Sequence, residues 1–112
     1  MSESSMIAFE LAELVTANKA SEKRYTEFLR VPTMSVGIYG LPAGSEDLQK
    51  PHNEDEIYLV VKGQSKFVCE GEVIEARSGS FIYVPAHADH RFFDIEEDLE
   101  IMVLFAPEET SR

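Results

Sequence analysis

From residue 24 onward the chain is a succession of short stretches rich in Val, Ile, Phe and Tyr, each closed off by Gly, Pro, Asn or Asp. Stretches this short and this often interrupted read as β-strands joined by tight turns. The expected strands cover residues 24–31, 33–40, 56–62, 65–69, 72–76, 80–84, 90–95 and 99–105. Between them, Leu41-Pro42-Ala43-Gly44, Lys62-Gly63, Glu70-Gly71, Ser78-Gly79 and Val84-Pro85 supply residues that tolerate or fix unusual backbone angles. The pattern predicts an all-β sandwich or antiparallel barrel, and closure into a barrel disposes of exposed strand edges. Ahead of the strands, Leu11, Leu14 and Val15 recur at helical spacing with Ala12 and Ala17 among them, which predicts one short helix from Glu10 to about Ala20.

A chain of 112 residues has the size of one ordinary domain. No repeat, low-complexity stretch or linker divides it, so residues 1–112 are read as one unit. Within it, about 1–32 form a helix and a strand, 33–106 form the barrel core, and 107–112 form a polar tail expected to fray. Ile57 to Val61 is apolar at every position, whereas a strand with one wet face alternates. Both faces of this strand should therefore be covered, and a second subunit is the expected cover: a homodimer.

Ten Lys and Arg against 21 Asp and Glu leave a formal charge of -11, so nucleic acid and anionic membrane surfaces are not expected partners. Most of this acidity is read as a solvated surface. Cys69 is the only cysteine; it alternates with Phe67 on an expected strand and reads as a small buried filler rather than a nucleophile. The segment MSESSMIAFE has no basic region followed by an apolar run, and no stretch reaches membrane-spanning length, so a cytoplasmic protein is expected.

Three side chains can carry chemistry together. His52 and Glu56 share even parity with Tyr58, and His90 shares it with Phe92 and Asp94, so each set can face one interior if its strand is regular. Two imidazoles and one carboxylate, with remaining positions left to water or substrate, are the ligands of a facial triad. On spacing alone, a scattered His, Glu and His are more often surface or satisfied polar residues than metal ligands.

The segments Gly40–Gly63 and Gly79–Asp94 resemble the two sequence motifs of the cupin superfamily. PHNEDEIYLVVKG supplies His52, Glu56 and Gly63 at the motif's positions, and GSFIYVPAHADHRFFD supplies Gly79, Pro85, His90 and, where an Asn is usual, Asp94. The resemblance implies an antiparallel double-stranded β-helix, or jelly-roll barrel, of the small single-domain type. It also implies one divalent metal ion on His52, Glu56 and His90, a ligand set that by its own chemistry favours Fe(II), with Mn, Ni, Co or Zn possible. The first His of the usual pair is replaced by Lys50, a poor ligand while protonated. Beside it, the Gln49 carbonyl oxygen is a candidate substitute donor, the alternatives being a loop hydrogen bond for Gln49 and water at that position.

His87 occupies the place of a motif Gly and reads as a turn residue able to accept positive φ. Glu54 and Asp55 read as solvated charges flanking the site. Tyr39, Tyr58 and Tyr83 read as strand packing, with Tyr58 the candidate catalytic phenol because it shares a face with Glu56. Arg91 should point away from His90. Cupin barrels serve unrelated activities, so the expected function is a metal-dependent enzyme, dioxygenase-like, on a small organic molecule held in the barrel. The alternatives are a metal-dependent lyase, isomerase or hydrolase, a sensory or small-ligand-binding barrel that turns nothing over, and a purely structural dimer.

Overall fold

In the computed structural model, which describes residues 5–110, one helix precedes six strands. The elements are α1 (Leu11–Ala20), β1 (Tyr25–Val31), β2 (Met34–Leu41), β3 (Asp55–Cys69), β4 (Glu72–Arg77), β5 (Phe81–Val84) and β6 (His90–Ala106). All pairings are antiparallel, in the order β1-β2-β6-β3-β4 with β5 also on β3.

Six strands replace the eight expected because two pairs of expected strands are each continuous. Residues 56–62 and 65–69 are both within β3, and 90–95 and 99–105 are both within β6. Lys62-Gly63 is a bend in a strand rather than a turn between strands. The β3–β6 register shifts three times between Val60 and Lys66, and Gly63 sits there with φ 106°. A side chain at Gly63 would run into the Asp98 carbonyl, so only glycine lets the two backbones approach this closely.

The bend gives β3 and β6 two halves each. Asp55–Val60 pairs with Ile101–Ala106 and with β5, whereas Gln64–Cys69 pairs with β4 and with the β6 segment that begins at His90. The sheet therefore folds over on itself, and Tyr58, Val60, Phe67, Phe92, Leu99, Ile101 and Phe105 fill the space between its leaves. Each such side chain contributes about 1.5–3 kcal/mol by leaving water. In β3 the burial alternates, with Glu56, Tyr58 and Val60 inward.

Asp94 departs from the expected parity. It has φ 49° and is exposed, and the next residue, Ile95, turns inward in its place. A left-handed residue resets the alternation of the strand, so Asp94 does not join His90 and Phe92 inside.

The helix forms where its periodicity predicts, but its apolar residues are not what anchors it. Leu11 is exposed and Leu14 and Val15 are half-buried, while Asn18 is the buried residue of the helix. Its amide donates to the Ile38 carbonyl at 3.0 Å, the Thr26 hydroxyl at 3.0 Å and the Arg24 carbonyl at 3.2 Å, tying the helix to β1 and β2. Lys19 adds an ion pair to Glu100 on β6 at 2.7 Å.

The tail does not fray over its described part. Glu109 is buried, its N–H donates to Ser35 Oγ at 2.9 Å, and its carbonyl accepts from Arg30 Nη2 at 2.7 Å. Thr110 donates through N and Oγ1 to Glu54 Oε2, at 3.2 and 2.8 Å. Residues 107–110 are thus a strap across the barrel mouth. Glu54, expected to be solvated, is buried by that contact. No helix among the described residues is long and apolar enough to cross a membrane.

Candidate metal centre

Glu56 enters the barrel as the second residue of β3, and His90 as the first of β6. They are far apart in the β3–β6 register, Glu56 opposite Phe105 and His90 opposite Cys69. The fold of the sheet at Gly63 brings them face to face, with His90 Nε2 3.1 Å from Glu56 Oε1. His52 comes from the loop before β3, and its Nδ1 lies 3.6 Å from the same oxygen.

That loop is held by the turn opposite it. His87, at φ 69°, occupies the turn position expected of it, and its N–H donates to the His52 carbonyl at 2.7 Å. Asp55 secures the same turn, its Oδ1 accepting from Ala86 N–H at 2.9 Å. Pro85 to Ala88 therefore fixes the position of His52 from across the mouth, a role for Asp55 that strand parity alone did not disclose.

The three donor groups each offer an atom within 4.8 Å of the other two. Two ligands about 2.1 Å from one ion at a right angle stand roughly 3 Å apart, so the 3.1 and 3.6 Å separations suit a shared cation. Glu56 Oε2 is buried without a hydrogen-bond partner, and Glu56 Oε1 and His52 Nδ1 are buried with ion-pair contacts but no well-formed hydrogen bond, a costly arrangement for protein alone and a natural one for ligands. The residues fit a divalent metal ion. Burial opposes charge on Glu56, but the imidazoles of His52 and His90 outweigh it and hold the carboxyl below its usual range. Burial likewise opposes charge on His90, and Glu56 and the Ala88 carbonyl raise its pKa nonetheless.

Behind His90 runs a chain of hydrogen bonds. Its Nδ1 is 2.9 Å from the Ala88 carbonyl, so that nitrogen carries hydrogen and Nε2 faces Glu56 and the Tyr58 hydroxyl, 3.0 Å away. Tyr58, fully buried, donates to Gln49 Oε1 at 2.9 Å, and Gln49 Nε2 donates to Asp47 Oδ2 at 2.8 Å. Tyr39 O–H and Phe92 N–H also donate to Asp47, at 2.6 and 2.9 Å. Burial, with the charges of Glu56 and Asp47 added, pushes the Tyr58 phenol well above its ordinary pKa, so it is neutral. Gln49, expected near the metal, thus has its amide oxygen on Tyr58. Asp47 went unnoticed in the sequence because one Asp in a loop carries no pattern.

A cavity of about 640 Å³ opens onto His52 and Glu56, with Tyr39, Leu48, Phe105 and Glu109 among its walls. Lys50 is exposed at its edge, and Glu109, also missed from sequence, places Oε2 3.9 Å from His52 Nε2. Tyr83 is exposed on the outer surface, and Arg91 is exposed over the Phe93 ring, pointing away from His90 as expected. Cys69 is half-buried against the core.

Residues 37–106 match the family described as Cupin domain. An uncharacterised protein of Streptomyces coelicolor, SCO3923, is 45% identical over 105 residues, spanning 94% of this chain and 100% of its own. Among solved structures, TT1209 from Thermus thermophilus superposes with TM-score 0.72 at 19% identity, covering 92% of this chain and 99% of that one. KdgF from a Halomonas species gives TM-score 0.68 at 24% identity over 74% of this chain and 76% of its own. A structure from Methanocaldococcus jannaschii described as an RmlC-like cupin with a double-stranded β-helix fold gives 0.67 at 19% identity, covering 77% and 84%. The barrel, the jelly-roll class and the short N-terminal helix read from the sequence are those observed.

Proposed function

The chain belongs to the cupin family, and from that premise we propose that it is a metal-dependent enzyme acting on a small organic molecule, with one divalent ion on His52, Glu56 and His90. The observation that carries this reading is the convergence of half-buried His52 with buried Glu56 and His90, the first two of them lining an open cavity. Two imidazoles and a carboxylate leave coordination positions open and favour Fe(II), with Mn, Ni, Co or Zn accommodated by the same set. When bound, such an ion supplies Lewis acidity and, if iron, a centre for oxygen chemistry. A dioxygenase-like reaction is the leading form, and lyase, isomerase or hydrolase chemistry would use the same residues.

The chain's own groups divide the remaining work. Val103, Phe105 and Leu48 offer an apolar wall to a substrate whose polar end reaches His52 and Glu56. Tyr58 is the proton-holding group beside His90, and Gln49 and Asp47 fix its hydroxyl direction. For Gln49 to supply an oxygen to the metal, it would have to release that hydroxyl; in the arrangement seen it orients Tyr58 instead. The replacement of an imidazole by exposed Lys50 favours a second reading, a barrel that holds a small ligand without turning it over.

The proposal includes a second copy of the chain. Ile57 and Leu59 on β3 pair with Tyr83 and Phe81 on β5 and with Leu104 and Met102 on β6, forming one apolar outer face. Phe81 is 67% exposed on it. A contiguous apolar face of aromatic and aliphatic groups suits an isologous dimer.

Elemental analysis of untagged protein purified without chelators tests the metal reading. We expect close to one metal per chain, lost in folded His52→Ala and His90→Ala variants. A wild type that stays metal-free after anaerobic reconstitution with Fe, Mn, Ni or Zn would overturn it and leave the ligand-binding barrel.

A further inference from the structure

We infer that Glu109, on the C-terminal strap, is the positioning residue for His52, holding the imidazole by its outer nitrogen so that Nδ1 faces the metal position; this rests on the metal reading above. Of the three ligands, Glu56 and His90 stand on strands whose pleat aims their side chains, and His52 stands in a loop. The His87 N–H bond fixes the His52 backbone but not its ring.

The two imidazoles are arranged alike. Each turns one nitrogen toward Glu56 Oε1 and the other toward an oxygen of the protein. For His90 that oxygen is the Ala88 carbonyl, 2.9 Å from Nδ1. For His52 it is Glu109 Oε2, 3.9 Å from Nε2, about 0.7 Å longer than a direct hydrogen bond. A metal-bound imidazole regularly gives its second N–H to a carboxylate or carbonyl, which fixes its tautomer and orientation.

Glu109 is placed for this by its surroundings and not by accident of a loose tail. Only 4% exposed, it is clamped through its N–H by Ser35 on β2 and through its carbonyl by Arg30 on β1. Arg30 is itself held by two bonds to Glu27, each 3.0 Å. The next residue, Thr110, binds Glu54 just ahead of β3. Three separate parts of the barrel thus set where the Glu109 backbone stands, and with it the reach of its carboxylate.

Cobalt(II) titration of the metal-stripped full chain tests the inference, read by visible absorption for affinity and ligand-field spectrum, with thermal melting of the metal-free proteins alongside. Glu109→Ala should weaken Co(II) binding by about 10–100-fold and alter the spectrum of the bound ion. Glu109→Gln, which keeps an oxygen acceptor, should recover most of the loss, and the metal-free melting curves of both variants should match wild type. Unchanged affinity in Glu109→Ala overturns the inference while leaving the metal site standing. A Gln variant as weak as Ala overturns it too, because charge alone would then account for the effect. A loss matched by an equal fall in metal-free stability assigns Glu109 to the scaffold and also overturns it. A wild type that binds no Co(II) removes the metal reading itself.

Discussion

His90 and Glu56 set the pH behaviour of the centre. Without metal they form a buried pair in which His90 titrates above its ordinary 6.5 and Glu56 below its ordinary 4.5. The raised His90 contributes stability that is complete below about 6.5 and is lost as pH rises through its folded value. The lowered Glu56 contributes stability present above about 4.5 and lost as pH falls through its own folded value. Denaturant unfolding of the metal-free protein should therefore show this contribution in full between about pH 4.5 and 6.5 and a decline above it, a decline absent from His90→Ala. Metal uptake should have the opposite slope at the acidic end, because an ion must displace the proton on His90. Its affinity should fall as pH drops below the raised His90 value and level off above it, measurable by Co(II) titration from pH 5.5 to 8.5. At this scale the sequence disclosed the three donors because parity and motif spacing both act over a few residues. Asp47 and Glu109 stayed hidden, since what draws each of them into the barrel includes contacts 45 or more residues away, Asp47 with Phe92 and Glu109 with Ser35.

Among the elements, β3 carries the most consequence, because its bend at Gly63 is what lets one strand line both leaves of the barrel. Gly63→Ala meets a positive φ and the Asp98 carbonyl together, so we expect a loss of about 2–4 kcal/mol, read from the shift in denaturation midpoint. Metal affinity should fall with it, since Glu56 lies before the bend and the His90 partner Cys69 after it. The strands themselves were legible from alternation and turn residues, with boundaries close to those observed. The fusion of four expected strands into two was not, because a glycine that ends a strand and a glycine that bends one look identical in sequence. The helix was legible for a reason other than the one that secures it: apolar spacing predicts its extent, but the buried Asn18 amide fastens it. A polar anchor of that kind leaves no periodic trace.

For the whole molecule, the outer apolar face of β3, β5 and β6 gives the proposed dimer its test. Phe81→Glu places a charge on the most exposed side chain of that face, so sedimentation velocity should show wild type as a dimer and the variant as a monomer that still retains its metal. A wild type that sediments as a monomer at micromolar concentration would remove the dimer from the proposal. The double membership of β3 and β6 also governs how anything enters or leaves the barrel. Glu56 and His90 stand at the starts of the two strands whose later residues supply most of the core. His52 is rooted in a loop held by the His87 turn and faced by the strap. The centre should consequently be lopsided in time, its strand-borne wall opening to hydrogen exchange more slowly than its loop-borne wall, which amide exchange at residues 50–53 and 107–110 against β3 and β6 would measure. An ion or small molecule held there as proposed would then be expected to come and go on the side of residues 107–110, the loop-borne side of the cavity.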